Sequence, residues 1–305
     1  MERRKERTNS HRAIVKEKKM KETDCHRNGM KGFAVPRWKR TVLATGAALC
    51  ALLMLVSPVC AEESEEDLAK MTQNPVSDLI SVPFQNNWNF DVGPRDKTQY
   101  ILNIQPVWPF SLNQDWNLIT RTIVPVISQP SFAPGMDREN GLGDINFTAF
   151  FSPAKPSKLI WGMGPTFLLP TATDDVLGTD KWGAGPAAVA LTMQGPWVYG
   201  ALANNIWSFA GTDKRDDVNA FLLQPFVNYN LPDGWYLSSA PVVTANWEAD
   251  SDNTWTVPVG GGVGKIIKIG KLPLNCSLRA YYNVEKPDFG ADWQLQFQVQ
   301  FLFPK

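Results

Sequence analysis

A two-beat row near the end of the chain constrains the fold more than any other feature. Trp293, Leu295, Phe297, Val299, Phe301 and Phe303 alternate with Gln294, Gln296, Gln298 and Gln300, and Leu302 alone interrupts the polar row. A period of two assigns a β-strand with one apolar and one polar face. At 3.6 residues per turn the glutamines would instead spread all round a helix. An edge strand of a soluble sheet is the alternative, but the large apolar side chains on its one face would need a thick covering layer. An apolar row against lipid and an uncharged hydrogen-bonding row facing inward suits a transmembrane barrel strand, which needs about 9–11 residues to cross a bilayer.

The pattern recurs. Strand-like segments fall at 79–92, 98–109, 115–128, 144–153, 159–170, 184–193, 197–209, 217–230, 235–248, 254–267, 272–285 and 291–303. Near 100, Tyr100, Leu102, Ile104 and Trp108 oppose Asn103 and Gln105. Near 225, Phe221, Leu223, Val227 and Tyr229 oppose Gln224, Asn228 and Asn230. From Leu272 to Val284 the apolar row opposes Asn275, Ser277, Arg279, Asn283 and Glu285. Segments 184–193 and 197–209 alternate poorly. Connections after even-numbered segments are brief, such as Pro232-Asp233-Gly234, where proline presets φ and glycine supplies a positive φ. Two after odd-numbered segments, Gln129 to Gly143 and Thr171 to Gly183, are far longer. That parity, an even strand number and tryptophans and tyrosines near strand ends predict an all-β fold: a closed antiparallel transmembrane β-barrel of about 12 strands, with short periplasmic turns and longer extracellular loops. Aromatic packing in a soluble core is the other reading of those rings. Pro106, Pro125, Pro165, Pro225, Pro241 and Pro258 fall inside the segments, where a missing N–H predicts bulges or bends.

The front of the chain has a different character. Residues 1–61 hold 14 Lys and Arg against 5 Asp and Glu, which leaves 16 against 25, a net charge of −9, from Glu62 onward. An acidic balance excludes nucleic acid as the expected partner. The apolar run Thr41 to Val59, preceded by Arg37, Lys39 and Arg40 and ended by Ala61, reads as a secretory signal cleaved after Ala61, with a retained anchor as the rival reading. Leu49 and Val59 are too large to precede a lipidated Cys50 or Cys60, so no lipid anchor is expected. Residues 1–29 exceed what a leader needs, and a start at Met30 would give one of normal proportions. The expected organisation is thus a leader over 1–61, an acidic periplasmic segment over 62–78 and a barrel over 79–305. His11, His26, Cys25, Cys50 and Cys60 all fall in the leader, and only Cys276 remains beyond it. The remainder can form no intramolecular disulfide, no histidine-containing catalytic triad and no His/Cys metal site. No catalytic residue, metal or cofactor is expected.

Five blocks carry a resemblance: Asn74-Pro75-Val76, Ser81-Val82-Pro83-Phe84-Gln85-Asn86-Asn87, Gly141-Leu142-Gly143-Asp144-Ile145-Asn146, Leu169-Pro170-Thr171-Ala172-Thr173-Asp174-Asp175 and Asp292-Trp293-Gln294-Leu295. Together they resemble a family of Gram-negative outer-membrane transporters grouped with the outer-membrane component of phenol meta-cleavage pathways, some members of which carry the misleading label neuromedin U. The resemblance spans nearly all of the chain after the leader. It implies an outer-membrane β-barrel, and it is the source of the expected preference for hydrophobic or aromatic solutes. The chain departs from the usual barrel ending by closing on Phe303-Pro304-Lys305, so recognition of the C-terminal strand by the barrel assembly machinery would shift inward to Phe303.

With the polar rows inward, the expected lumen-lining residues are Asn103, Gln105, Arg121, Gln224, Asn228, Asn230, Glu248, Arg279, Asn283, Glu285, Gln294, Gln296, Gln298 and Gln300. Amides donate and accept without fixing a charge, so such a wall suits neutral polar or amphipathic solutes. A closed interior of mutually bonded amides is equally compatible with twelve strands. The row Gly260, Gly262 and Gly264 reads as a widened wall or as an aid to tight curvature. Asp174, Asp175 and Asp180 in one long loop, and Asp137 and Glu139 in the other, could hold a divalent cation, although solvated loop charge is the commoner case. Nothing places two carboxylates at a glycosidase separation. The expected function is passive passage of small neutral or hydrophobic molecules across the outer membrane of a Gram-negative bacterium. The alternatives are a non-conducting structural or surface-interaction barrel and, with no histidine to serve as base, an outer-membrane lipase-type enzyme.

Overall fold

The computed structural model describes residues 64–131, 137–155 and 157–304. The leader, with its histidines and cysteines, and Met30 lie outside the described residues. A short helix, α1 (Glu65–Thr72), comes first. The strands are β1 (Ile80–Val92), β2 (Lys97–Ile104), β3 (Val107–Ser111), β4 (Trp116–Gln129), β5 (Glu139–Leu142), β6 (Ile145–Pro153), β7 (Leu159–Leu169) and β8 (Lys181–Gln194). They continue with β9 (Trp197–Gly211), β10 (Asn219–Asn230), β11 (Trp235–Ser239), β12 (Val243–Asn246), β13 (Trp255–Ile269), β14 (Leu272–Glu285) and β15 (Trp293–Phe303).

Three staves of the barrel are interrupted: β2 and β3 form one, β5 and β6 another, β11 and β12 a third. Counted as staves there are twelve, each antiparallel to the next. The ring closes where β1 meets β15 in unbroken register from Ile80 opposite Phe303 to Phe90 opposite Trp293. Closure leaves no free edge. Connections at one end span 112–115, 154–158, 195–196, 231–234 and 270–271, and that end also carries Ile80 and Phe303. At the other end they span 93–96, 130–138, 170–180, 212–218, 247–254 and 286–292. Residues 139–142, expected within a loop, instead pair with β4 as a short strand that prolongs β6 beyond a kink at Gly143-Asp144. The turn at Pro232-Asp233-Gly234 has φ +57° at Asp233 and +70° at Gly234, and Leu231 N–H donates to Trp235 O at 2.8 Å across it.

The prolines explain the interruptions. Pro106 separates β2 from β3, Pro241 separates β11 from β12, and the β13–β14 register shifts at Pro258. Pro125 and Pro225 stand opposite interruptions, where no ladder donor is required of them. Pro165 corrects the expectation of a bulge: it faces Pro186 in a β7–β8 register that runs without a shift. The two face each other as a non-hydrogen-bonded pair, with each ring nitrogen turned toward the flanking strand, β6 or β9. The disturbance moves to the flanking ladders instead. The β6–β7 pairing lapses at Gly164-Pro165, and the β8–β9 pairing lapses at Gly185-Pro186.

Large apolar side chains cover the outer wall. Trp197, Tyr199, Trp207 and Phe209 on β9, and Val259, Val263 and Ile267 on β13, are exposed. Outward rings cluster at both rims, with Phe90 stacked on Trp293 at 4.1 Å near one and Trp116 edge-on to Trp161 at 5.9 Å near the other. The polar side chains Asn87, Thr148, Thr166, Asn228, Asn275, Ser277, Gln296 and Gln300 are buried on the inside. No helix among the described residues is long and apolar enough to cross a membrane; the strands do that.

Candidate functional site

The interior has two unlike halves. Across β14, β15, β1, β2 and β4 the inward side chains join into one hydrogen-bonded belt. Arg279 Nη1 donates to Gln296 Oε1 at 2.9 Å, and Gln296 Nε2 donates to Asn87 Oδ1 at 3.2 Å. From the other side Arg121 Nη2 donates to Gln105 Oε1 at 2.6 Å, Gln105 Nε2 to Gln85 Oε1 at 3.1 Å, and Gln85 Nε2 to the same Asn87 oxygen at 3.0 Å. Two guanidiniums thus anchor the ends, and every amide dipole points toward Asn87. Aligned bonds of this kind polarise one another.

Two further rungs flank the belt. Toward the long loops, Gln294 donates to Asn89 at 2.8 Å, Asn89 to Gln99 at 2.7 Å and Gln99 to Gln129 at 2.5 Å. Toward the short turns, Tyr236 Oη donates to Asn275 Oδ1 at 2.6 Å, while Asn275 and Gln298 both donate to Gln300 Oε1, at 3.0 and 3.3 Å.

The facing half is apolar. Ile119, Phe150, Ala187, Val189, Leu191, Val198, Leu202 and Phe226 form one buried cluster on β4, β6 and β8 to β10, with Val107 and Leu222 packed against it. The sequence had hidden this half. On β8 the inward Ala187, Val189 and Leu191 alternate with the equally apolar, outward Ala188 and Ala190, so hydropathy shows no period of two.

Helix α1 fills the short-turn end. The Ser64 hydroxyl caps it by accepting from Asp67 N–H at 3.1 Å, and Glu65, Glu66 and Asp67 sit in the first turn against the positive end of the helix dipole. A helix this short is marginal alone, and packing holds it: Leu68 and Ala69 bury against Leu79, Tyr236, Ile266 and Leu302. Leu302, the break in the glutamine row, is the helix's seat. Beyond the helix, Val76 joins the apolar cluster.

The remaining sequence-predicted residues fall as follows. Asn103 faces Gln85 and Pro125 on the inner wall, Gln224 Nε2 reaches Ala240 O at 3.4 Å, and Asn228 is buried. Asn230 and Gln73 bond each other, and Asn283 Nδ2 donates to Ala291 O at 2.7 Å near the long-loop rim. Glu248 is a correction: it is exposed in the connection 247–254, because β12 ends at Asn246. Glu285 is the exposed last residue of β14. In the glycine row, Gly264 makes room for the Tyr236 ring, since a Cβ there would lie 2.1 Å from Tyr236 Cζ; at Gly262 it would meet Leu278 O at 1.9 Å and at Gly260 Ala280 O at 2.0 Å.

The long loops are tied down by single polar hubs. Asp144 accepts from Thr179 N–H at 2.6 Å, Thr179 Oγ1 at 2.7 Å and Ala172 N–H at 3.2 Å. Lys181, buried, donates to Asp217 at 2.9 Å, and Ser208 Oγ donates to the same carboxylate at 3.1 Å. The hydrogen bond from Lys181, then that from Ser208, holds the Asp217 carboxyl below its ordinary value. No three His, Cys, Asp or Glu residues among those described converge as a metal site. On the outer face, a groove of about 800 Å³ runs over the lapsed ladders, from Trp116 and Trp161 past Met163, Pro165 and Pro186 to Phe221.

Neither a family model nor a curated protein matches the chain. Among solved structures, the chain is similar in fold to an outer membrane channel from Pseudomonas putida F1, with a TM-score of 0.58, 17% identity, and coverage of 81% of this chain and 100% of that one. Outer membrane phospholipase A from Escherichia coli gives a TM-score of 0.39 at 13% identity, covering 80% and 99% of the two chains. LpxR from Salmonella typhimurium gives 0.40 at 9% identity, covering 73% and 100%.

Proposed function

We propose that this chain is an outer-membrane barrel that passively passes small neutral or amphipathic molecules with a hydrophobic, often aromatic, body. One observation carries the reading: the inner wall pairs a ribbon of amides with a facing apolar cluster. A solute sliding through could keep its polar atoms hydrogen-bonded while its apolar body stays out of water. The fold shared with the Pseudomonas channel supports this, and the five sequence blocks support a place in the phenol-pathway-like transporter family. On this reading the short turns and α1 face the periplasm, the long loops face outward, and the C-terminal strand is read by the assembly machinery.

Purified protein in liposomes tests the proposal. Swelling or single-channel current should appear with the intact chain and grow when residues 64–78 are removed. No flux in either form leaves the structural barrel, which the seating of α1 across one end favours. The lipase-type alternative would need Lys, Asp or Glu as its base, since no histidine lies beyond His26. Absence of phospholipid hydrolysis by a preparation free of contaminating lipases disposes of it.

A further inference from the structure

The belt is anchored at both ends by a positive charge, and among the described residues no acid answers either one. In the strands of the described residues the carboxylates are Asp91, Glu139 and Glu285, all within a turn of the long-loop rim. Arg121 and Arg279 stand deeper, half-buried, and among the described residues their acceptors are the neutral oxygens of Gln105 and Gln296. Arg279 Nε is buried without a partner. A guanidinium offers five N–H donors in a planar fork that matches a carboxylate. A charge inside a partly desolvated wall that meets only amides is incompletely compensated.

The surroundings of the two differ. Arg279 lies within the amide half. Arg121 lies at the seam: Gln105 binds it on the belt side, while Val107 faces it across β3, and Ile119, two residues along β4, belongs to the apolar cluster with Phe150. Of these two, Arg121 is the one at which a cationic head site adjoins the greasy wall.

We propose that Arg121 is the head-group site for a small amphipathic organic monoanion, a monocarboxylate whose apolar or aromatic body packs against Val107, Ile119 and Phe150 by displacing Val76, which covers that cluster in this structure. The inference narrows the solute class beyond neutral molecules. It rests on the passage reading for the solute's route but not for the site. Binding and flux therefore separate the two.

The test is equilibrium dialysis of radiolabelled benzoate and of its uncharged isostere benzamide against the full chain in nanodiscs. Benzoate should bind about tenfold or more tightly than benzamide, the scale of a charge-assisted bidentate contact against a neutral one. Arg121→Gln should abolish that preference, Arg121→Lys should keep part of it, and Arg279→Gln most of it. Equal binding of the two probes, no binding of either, or a preference that survives Arg121→Gln overturns the proposal. A preference lost only in Arg279→Gln overturns the assignment to Arg121. Should Arg121→Gln fail to assemble, shown by loss of the heat-modifiable band on electrophoresis, the wild-type comparison and Arg121→Lys still decide it. Preferential binding without liposome flux keeps the site and removes the passage reading; flux without preference does the reverse.

Discussion

Gln73 and Asn230 hold each other by two hydrogen bonds: Gln73 Nε2 donates to Asn230 Oδ1 at 2.8 Å, and Asn230 Nδ2 donates to Gln73 Oε1 at 3.1 Å. Gln73 is the C-cap of α1 and Asn230 the last residue of β10, so this pair ties the helix to the wall. Asn230→Ala removes both bonds and leaves a half-buried amide unsatisfied, a cost of about 1–3 kcal/mol. The undocked helix should become more populated by about tenfold or more. Thermolysin cleavage within residues 64–78 of the reconstituted protein should quicken accordingly, and opening events in single-channel records should multiply. An unchanged cleavage rate would mean that Leu68 and Ala69 alone hold the helix in place.

Gly264 supports the same seat from beneath. Any Cβ there would run into the Tyr236 ring, whose hydroxyl is committed to Asn275 in a fully buried position. Gly264→Val should therefore destabilise the barrel by about 1–3 kcal/mol through overpacking. Tyr236→Phe should cost a similar amount for a different reason, the unmet acceptor on Asn275. Urea titration followed by tryptophan fluorescence compares the two, and the double variant should fall short of their sum because both act on one ring.

Much of this fold was legible in the residues. Strand number, hairpin parity and the inward amides of β2, β10, β14 and β15 follow from alternating side chains, which register fixes to one face or the other. The inward Gln85, Asn87 and Asn89 of β1 were missed, because Asn86 breaks the alternation there. The chain was silent wherever both faces of a strand are apolar. Ala187 to Leu191 is such a place, and half the inner wall is built there. The position of α1 was written only as an anomaly: Leu302 in a glutamine row, like the inward Tyr236 and Ile266 near the same rim, is an apolar side chain awaiting a partner from elsewhere in the chain. Prolines mark interruptions even at Pro165 and Pro186, but there the breaks fall in the flanking β6–β7 and β8–β9 ladders while the two prolines face each other, a pairing that neither local sequence discloses.

Cys276 offers a direct check on which row faces lipid. It pairs with Lys265 and Val299 and shares its face with the exposed Leu278, away from the inward Ser277 and Arg279. In liposomes a hydrophobic maleimide should label it, and a charged methanethiosulfonate reagent added from either side should not. Rapid modification by the charged reagent would put that face in water and reverse the inside-out assignment of β14.

At the long-loop rim, Lys181 and Asp217 give the structure a pH dependence of known sign. Asp217 is held below its ordinary value of 3.8 by its hydrogen bonds from Lys181 and Ser208. A carboxyl depressed in the folded state contributes fully above the unfolded value and loses that contribution as the pH falls through the folded one. The connection 212–218 should therefore stay anchored down to about pH 3.8 and loosen only on further acidification. Its release would also leave the buried Lys181 ammonium without its counter-charge, an unfavourable state that opposes protonation of Asp217. A nitroxide placed by Lys214→Cys in a Cys276→Ala background reports loop mobility by electron paramagnetic resonance. The spectrum should be immobilised at neutral pH and become mobile below about pH 3.8, whereas the further change Asp217→Asn should make it mobile throughout. Matching pH profiles with and without Asp217 would show that the loop is held by Arg215, which donates to Gly178 O at 2.7 Å, and not by the carboxylate.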